Sequence, residues 1–198
     1  AIEPLPRGFG MTLGNPVRRV LLSSIEGIAI NWVRIDGVEH EYTTVPNVKE
    51  DVVDILLAIK SINLRSSTKR PGKLRLEVEG PGEVTAGDIM TSSDFEIVNP
   101  ELHLATLDGN GSRLVVEMNV EQGKGYEPAA SIEGLPIGVL PVDAIYTPVR
   151  KVNYTVDRTR IGQHVDYERL NLEVWTNGAI SPAEAVREAG RELVEHFF

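Results

Sequence analysis

The residue types that do chemistry are scattered along this chain. Its four histidines, His40, His103, His164 and His196, lie far apart. None has the spacing of a zinc-binding helix, so each reads as a surface or interface histidine. No aspartate is followed two positions later by another. The compact aspartate cluster that holds Mg²⁺ for nucleotidyl transfer is therefore missing. Carboxylates are plentiful, but no glycosidase-type pair stands out; they read as solvated charges on sheet faces. There is no cysteine, which removes disulfides, zinc ribbons and thiol catalysis. No catalytic residue, metal or cofactor is expected.

One segment resembles a phosphate-cradling loop, Gly8-Phe9-Gly10-Met11-Thr12-Leu13-Gly14. The dinucleotide fingerprint G-x-G-x-x-G needs its third glycine where Leu13 stands. A stand-alone nucleotide-binding domain using Gly8 to Gly14 is the alternative reading. No G-x-x-x-x-G-K-[ST] or G-x-S-x-G motif occurs.

Arg18 and Arg19 sit in a segment whose other positions are mostly apolar: Val17, Val20, Leu21 and Leu22. Leu22 and Ile25 fall on the Arg18 side, away from the main apolar stripe. Two readings stand open: solvated arginines flanking a core stripe, or an interface, where arginine with apolar neighbours is common.

Three segments must carry these residues as helices. The first lies near Thr12 to Ser24, with Leu13, Val17, Val20, Leu21 and Ser24 on one face. Its start is Asn15-Pro16, or Thr12 with Pro16 costing one early hydrogen bond. The second spans about Val48 to Ser61, with Asn47 and Glu50 at capping-box spacing. The third starts at Ser181, with Pro182 in the first turn and Glu184 closing a capping box. Val186, Ala189, Leu193 and Phe197 line one face of it. Its small Ala189 and Gly190 and its Phe197-Phe198 end suit helix packing, within the fold or between subunits.

Leu74-Leu76-Val78, Leu114-Val116-Met118-Val120 and Leu170-Leu172-Val174 alternate with polar residues, as in antiparallel strands with one wet face. Turns are expected at Gly80-Pro81-Gly82, Asp108 to Gly111 and Asn177-Gly178. Glu121 to Pro141 reads as a long surface loop. The class is α+β. The formal charge of -9 argues against this segment as a main nucleic-acid contact. No long apolar run indicates a membrane span. The start at Ala1 and the helical pattern running to Phe198 give the expectation that both ends are truncated.

Glu3-Pro4-Leu5-Pro6-Arg7-Gly8-Phe9-Gly10 and Thr12 to Ser24 closely resemble the opening block of bacterial and plastid RNA polymerase α subunits. Gly37 to Thr44, Val48 to Asp51, Gly123 to Tyr126, Val142 to Ala144, Thr147 to Val149 and Leu172 to Gly178 match further blocks in the same order. The resemblance implies a non-catalytic scaffold that homodimerises and nucleates assembly of the β and β′ subunits of a nucleotidyltransferase. It implies a cytoplasmic, nucleoid-associated location. It also implies two lobes: a dimerisation lobe from residues 1–26 and 149–198, with helices and antiparallel sheet, and a mainly β domain inserted at 27–148. The family's early strand, linker and separate DNA-contacting domain have no counterpart in this sequence.

By resemblance, Arg19 matches the arginine needed for β binding, with Arg18 and Leu22 beside it. His40, Glu41, Tyr42 and Thr43 match a second β-facing segment. Lys60 and Val142 match positions in contact with β′. The dimer surface falls on the first and last helices, at Phe9, Leu13, Val17, Leu21, Val186, Ala189, Gly190, Leu193 and Phe197.

Overall fold

The computed structural model of the chain describes residues 1–68, 70–131, 134–162 and 164–197, with the backbone alone for Ser131, Ile161, His164, Val165 and Phe197. The first half runs β1 (Ile2–Pro6), α1 (Phe9–Ser23), β2 (Glu26–Ile35), α2 (Val52–Lys60), β3 (Leu64–Ser66), β4 (Gly72–Glu79), β5 (Gly82–Thr85), β6 (Ile89–Met90) and β7 (Phe95–Ile97). The second runs β8 (His103–Leu107), β9 (Arg113–Lys124), β10 (Tyr126–Glu127), β11 (Leu140–Pro141), β12 (Ala144–Ile145), β13 (Val149–Ile161), β14 (His164–Thr176) and α3 (Pro182–Phe197). Helices and mainly antiparallel sheets give the α+β class. The chain divides into two compact units: Ala1–Glu26 with Thr147–Phe198, and Gly27–Tyr146.

The first unit is built on a long antiparallel hairpin. β13 and β14 pair Val152 with Val174, Tyr154 with Leu172 and Val156 with Leu170, and β1 adds to the free side of β14. The helix α1 lies close against this sheet because two of its glycines face it. A Cβ on Gly10 would come within 2.5 Å of the Val156 side chain, and one on Gly14 within 2.8 Å of the Tyr154 ring. One turn later the same face carries Val17 and Leu21. These bury with Ile25, Val149, Val152, Ala185 and Ala189 into one cluster, the dry side of the unit.

α1 differs from its sequence reading at both ends. It begins at Phe9, not Thr12 or Asn15, and ends at Ser23, with Pro16 inside it. No local side chain caps its start. Gly8 turns the chain at φ 89°, a conformation glycine adopts without steric cost. The Glu168 carboxylate on β14 then accepts the Gly10 N–H at 2.9 Å and a further bond from the Gly8 N–H. A tertiary carboxylate thus satisfies donors that a local cap would otherwise take. α3 starts as expected: Ser181 and Glu184 exchange hydrogen bonds, Glu184 N–H to Ser181 Oγ at 3.2 Å and Ser181 Oγ to Glu184 Oε2 at 2.6 Å.

The second unit centres on a five-stranded sheet ordered β11-β2-β9-β4-β6. The predicted alternation is realised: Leu114, Val116, Met118 and Val120 of β9 and Leu74 and Leu76 of β4 are all buried. Val52, Ile55 and Ile59 of α2 join the same core. The tight link between β8 and β9 uses Gly109 and Gly111 at φ 98° and 86°, where a Cβ would be strained.

Two expectations are corrected here. α2 begins at Val52, and its cap is Asp51, whose Oδ1 accepts the Asp54 N–H at 2.8 Å. Asn47 instead takes φ 59°, and Glu50 is drawn to β8, where its Oε2 accepts the Thr106 N–H. Glu121 to Pro141 is not one loop. β9 continues through Lys124, and β10, a short 3₁₀ turn at Ala129–Ser131 and β11 follow. The strand tolerates Gly123 because the Tyr146 ring covers it, 2.7 Å from where a Cβ would stand.

Candidate protein-docking surfaces

On α1 the two arginines separate. Arg18 Nε donates to the Val152 carbonyl at 3.2 Å, so part of its binding capacity is spent within the fold. Arg19 is exposed, and its guanidinium makes no hydrogen bond or ion pair among the described residues. Leu22 packs partly against the helix core, and Ile25 is buried in it. The surplus apolar surface expected around Arg18 is therefore mostly consumed. The helix exposes Phe9 and Met11 instead, at 50% and 51%.

The expected dimer residues split the same way. Val17, Leu21 and Ala189 lie inside the unit's own core. α1 and α3 bury these three of the nine positions against each other and β13. Leu13, Val186, Gly190 and Leu193 remain partly accessible. Nothing lies within 4 Å of a Cβ built on Gly190. Val194, 58% exposed on α3, had no place in the sequence reading. The side chain of Phe197 and all of Phe198 lie outside the described residues.

In the second unit, Tyr42 is 81% exposed. His40 is exposed, and Glu41 and Thr43 are half-buried. The Thr43 carbonyl accepts the Val52 N–H at 3.1 Å, pinning this segment to the start of α2. Val142 is only 3% exposed. Its side chain packs in the core. Its neighbour Asp143 is what the surface presents. Asp143 Oδ2 accepts from Lys60 Nζ at 2.7 Å and its Oδ1 from the Ala129 N–H at 2.8 Å. Those two donors hold the Asp143 carboxyl below its usual range, the backbone N–H having the larger effect. Asp143 in turn raises the Lys60 ammonium. Lys60 also lies 5.6 Å from the centroid of the Tyr126 ring, which is exposed. Sequence reading missed Asp143 and Tyr126, because only folding brings them to α2.

A second cluster surrounds His103. Its Nε2 meets Glu50 Oε1 at 2.9 Å and its Nδ1 meets Glu83 Oε1 at 3.0 Å. Burial pushes the Glu50 carboxyl up, but bonds from His103 and Thr106 outweigh it and hold it at about 2. The hydrogen bond to Glu50 raises His103. The histidine's contribution to stability is full below about pH 6.5, its ordinary value, and fades as pH climbs through the raised one. Glu50 contributes fully above about pH 4.5 and fades toward 2. His103→Gln is therefore expected to cost most between pH 4.5 and 6.5. The loss is about 0.5 kcal/mol, small because the ring is partly solvated. Urea midpoints across pH 4.5 to 9 check this; a pH-independent difference contradicts it.

The Gly8 to Gly14 segment is helix from Phe9 onward, and the Glu168 carboxylate already takes the Gly8 and Gly10 N–H groups at its start. An anion of the protein's own stands where a phosphate would bind, so the nucleotide reading is not supported. Among the described residues no cluster of three or more His, Cys, Asp or Glu side chains is placed to hold a metal, and no helix is long and apolar enough to cross a membrane.

Comparison with known proteins follows the same lines. Residues 33–147 match the family described as RNA polymerase Rpb3/RpoA insert domain. The chain is 55% identical over 197 residues to the DNA-directed RNA polymerase subunit alpha of Symbiobacterium thermophilum, covering 98% of this chain and 62% of that protein. It is 52% identical over 198 residues to the subunit alpha of Clostridium kluyveri, covering 99% and 62%. It is 52% identical over 197 residues to that of Moorella thermoacetica, covering 98% and 63%. The chain thus spans less than two thirds of the length of these relatives.

Proposed function

This chain belongs to the RNA polymerase Rpb3/RpoA insert domain family, and from that premise we propose that it is the assembly scaffold of a DNA-directed RNA polymerase α subunit. It homodimerises through the unit carrying α1 and α3 and presents surfaces to the β and β′ subunits. It does no chemistry itself. The observation that carries the reading is identity above one half, along nearly the whole chain, to proteins named as that subunit.

The exposed side chains give the proposal its geography. Arg19, with Arg18 and Leu22 beside it, and the His40 to Thr43 segment face β. Lys60 faces β′, with Asp143 and Tyr126 in place of the buried Val142. The dimer contact uses Phe9, Leu13, Val186, Gly190 and Leu193, to which the exposed Met11 and Val194 are added. The buried Val17, Leu21 and Ala189 act beneath that surface by holding the two helices together.

The test is association. The purified chain should run at twice its 21.8 kDa mass in light scattering and co-elute with β, and then with β′. A monomer that captures neither subunit, under conditions where an authentic α subunit captures both, refutes the proposal.

A further inference from the structure

At the far end of the β13–β14 hairpin, beyond the start of α1, a cavity of about 500 Å³ is lined by Arg7, Arg158 and Arg160. Most other surface arginines are neutralised. In the second unit Arg34 and Lys73 share Glu117, and Arg75 and Arg113 share Glu77. The three cavity arginines make no hydrogen bond or ion pair among the described residues.

The backbone explains why they converge. Arg158 pairs with Glu168 across the hairpin, on the face that α1 covers. The pairing register then shifts between Thr159 and Ile161. Arg158 and Arg160, two positions apart on β13, share one face by simple alternation, and both line the cavity together with Thr159. Arg7 enters from the turn that follows β1, where Pro6 pairs with Tyr167.

Two carboxylates also line the cavity, and they are not equivalent. Glu168 is committed to the N–H groups of Gly8 and Gly10, which with nearby Arg7 hold its carboxyl below the usual range. Asp166 is the one carboxylate there without a partner among the described residues. Three arginines set against the Asp166 and Glu168 carboxylates leave a formal surplus of one positive charge in a concave wall, on a chain whose net charge is -9. Guanidinium forks match phosphate oxygens two at a time. The volume is that of a small-molecule pocket, and the half-buried Tyr167 also lines it. The acidic remainder of the surface repels an extended polyanion, so a compact one is favoured.

We propose that Arg7, Arg158 and Arg160 form a binding site for a compact oligophosphate, either free or as the tail of a nucleotide. Its lining residues are other than those named for the docking surfaces above.

Isothermal titration of the 198-residue chain with pyrophosphate, ATP and a short DNA duplex at low salt tests it. Pyrophosphate and ATP binding with equal affinity assigns recognition to the phosphates alone. Tighter ATP binding adds the nucleoside against Tyr167. Either result supports the site, provided that Arg158→Gln/Arg160→Gln weakens binding by on the order of tenfold per arginine and melts like the parent. The proposal is overturned if neither phosphate binds, if the double variant binds unchanged, or if the duplex binds more tightly than both.

Discussion

Arg19→Glu is expected to abolish capture of β while leaving the fold and the dimer intact. Arg19 projects from α1 with its guanidinium unpaired among the described residues. The one bond recorded at this position, Ser23 Oγ to the Arg19 carbonyl at 2.8 Å, belongs to the backbone and survives the substitution. Exposed positions of this kind change stability by no more than about 0.5 kcal/mol. Reversing a charge at a docking surface costs about 2–5 kcal/mol of binding where the partner group is desolvated. That is a thirtyfold loss at the lower end, large enough for co-elution to fail. Arg18→Glu makes the useful contrast. It also forfeits the bond to the Val152 carbonyl, so it should lower stability measurably as well as binding. If Arg19→Glu captures β normally, or melts like a core mutant, the interface reading of this arginine fails.

That contrast between neighbouring arginines was not legible in the sequence, and the reason is general to the molecule. Features set by near neighbours were readable. The cap of α3 is made by Ser181 and Glu184, three residues apart, and the strands of the sheet core follow simple alternation. Features set across the chain were not. The start of α1 is closed by a carboxylate 158 positions away, so neither Thr12 nor Asn15-Pro16, the two starts that local signals offer, is where the helix begins. Asn47-Glu50 and Asp51-Asp54 both have capping spacing, and what chose between them was Thr106 and His103 drawing Glu50 toward β8. Gly10 lies ahead of the helix that local signals offer, although its spacing of four from Gly14 places both on one helix face. Burial was the other blind spot. Similarity to a family marks positions, but only packing shows that Val142, Val17, Leu21 and Ala189 are buried.

Leu21→Ala is accordingly expected to destabilise the first unit and not merely to loosen a subunit contact. Leu21 is fully buried, packed with Val17, Ile25, Val149, Val152, Ala185 and Ala189. Truncating such a leucine costs about 2–5 kcal/mol, part from lost transfer energy and part from the cavity left behind. The neighbours limit collapse: Gly14 already brings the helix onto the Tyr154 ring, and Ala185 and Ala189 carry only a methyl group, which no rotation can swing inward. Leu21→Met, which nearly conserves volume, should cost less than about 1.5 kcal/mol. The measurement is helical signal against urea, at high and low protein concentration. The expected result for Leu21→Ala is a lower midpoint at both concentrations, with faster exchange of β13 and β14 amides. Suppose instead that the dilute protein unfolds at the parent's midpoint and only the dimer dissociates more readily. Leu21 would then sit at the subunit contact, as resemblance alone implied, and the core assigned to α1, α3 and the hairpin would be wrong.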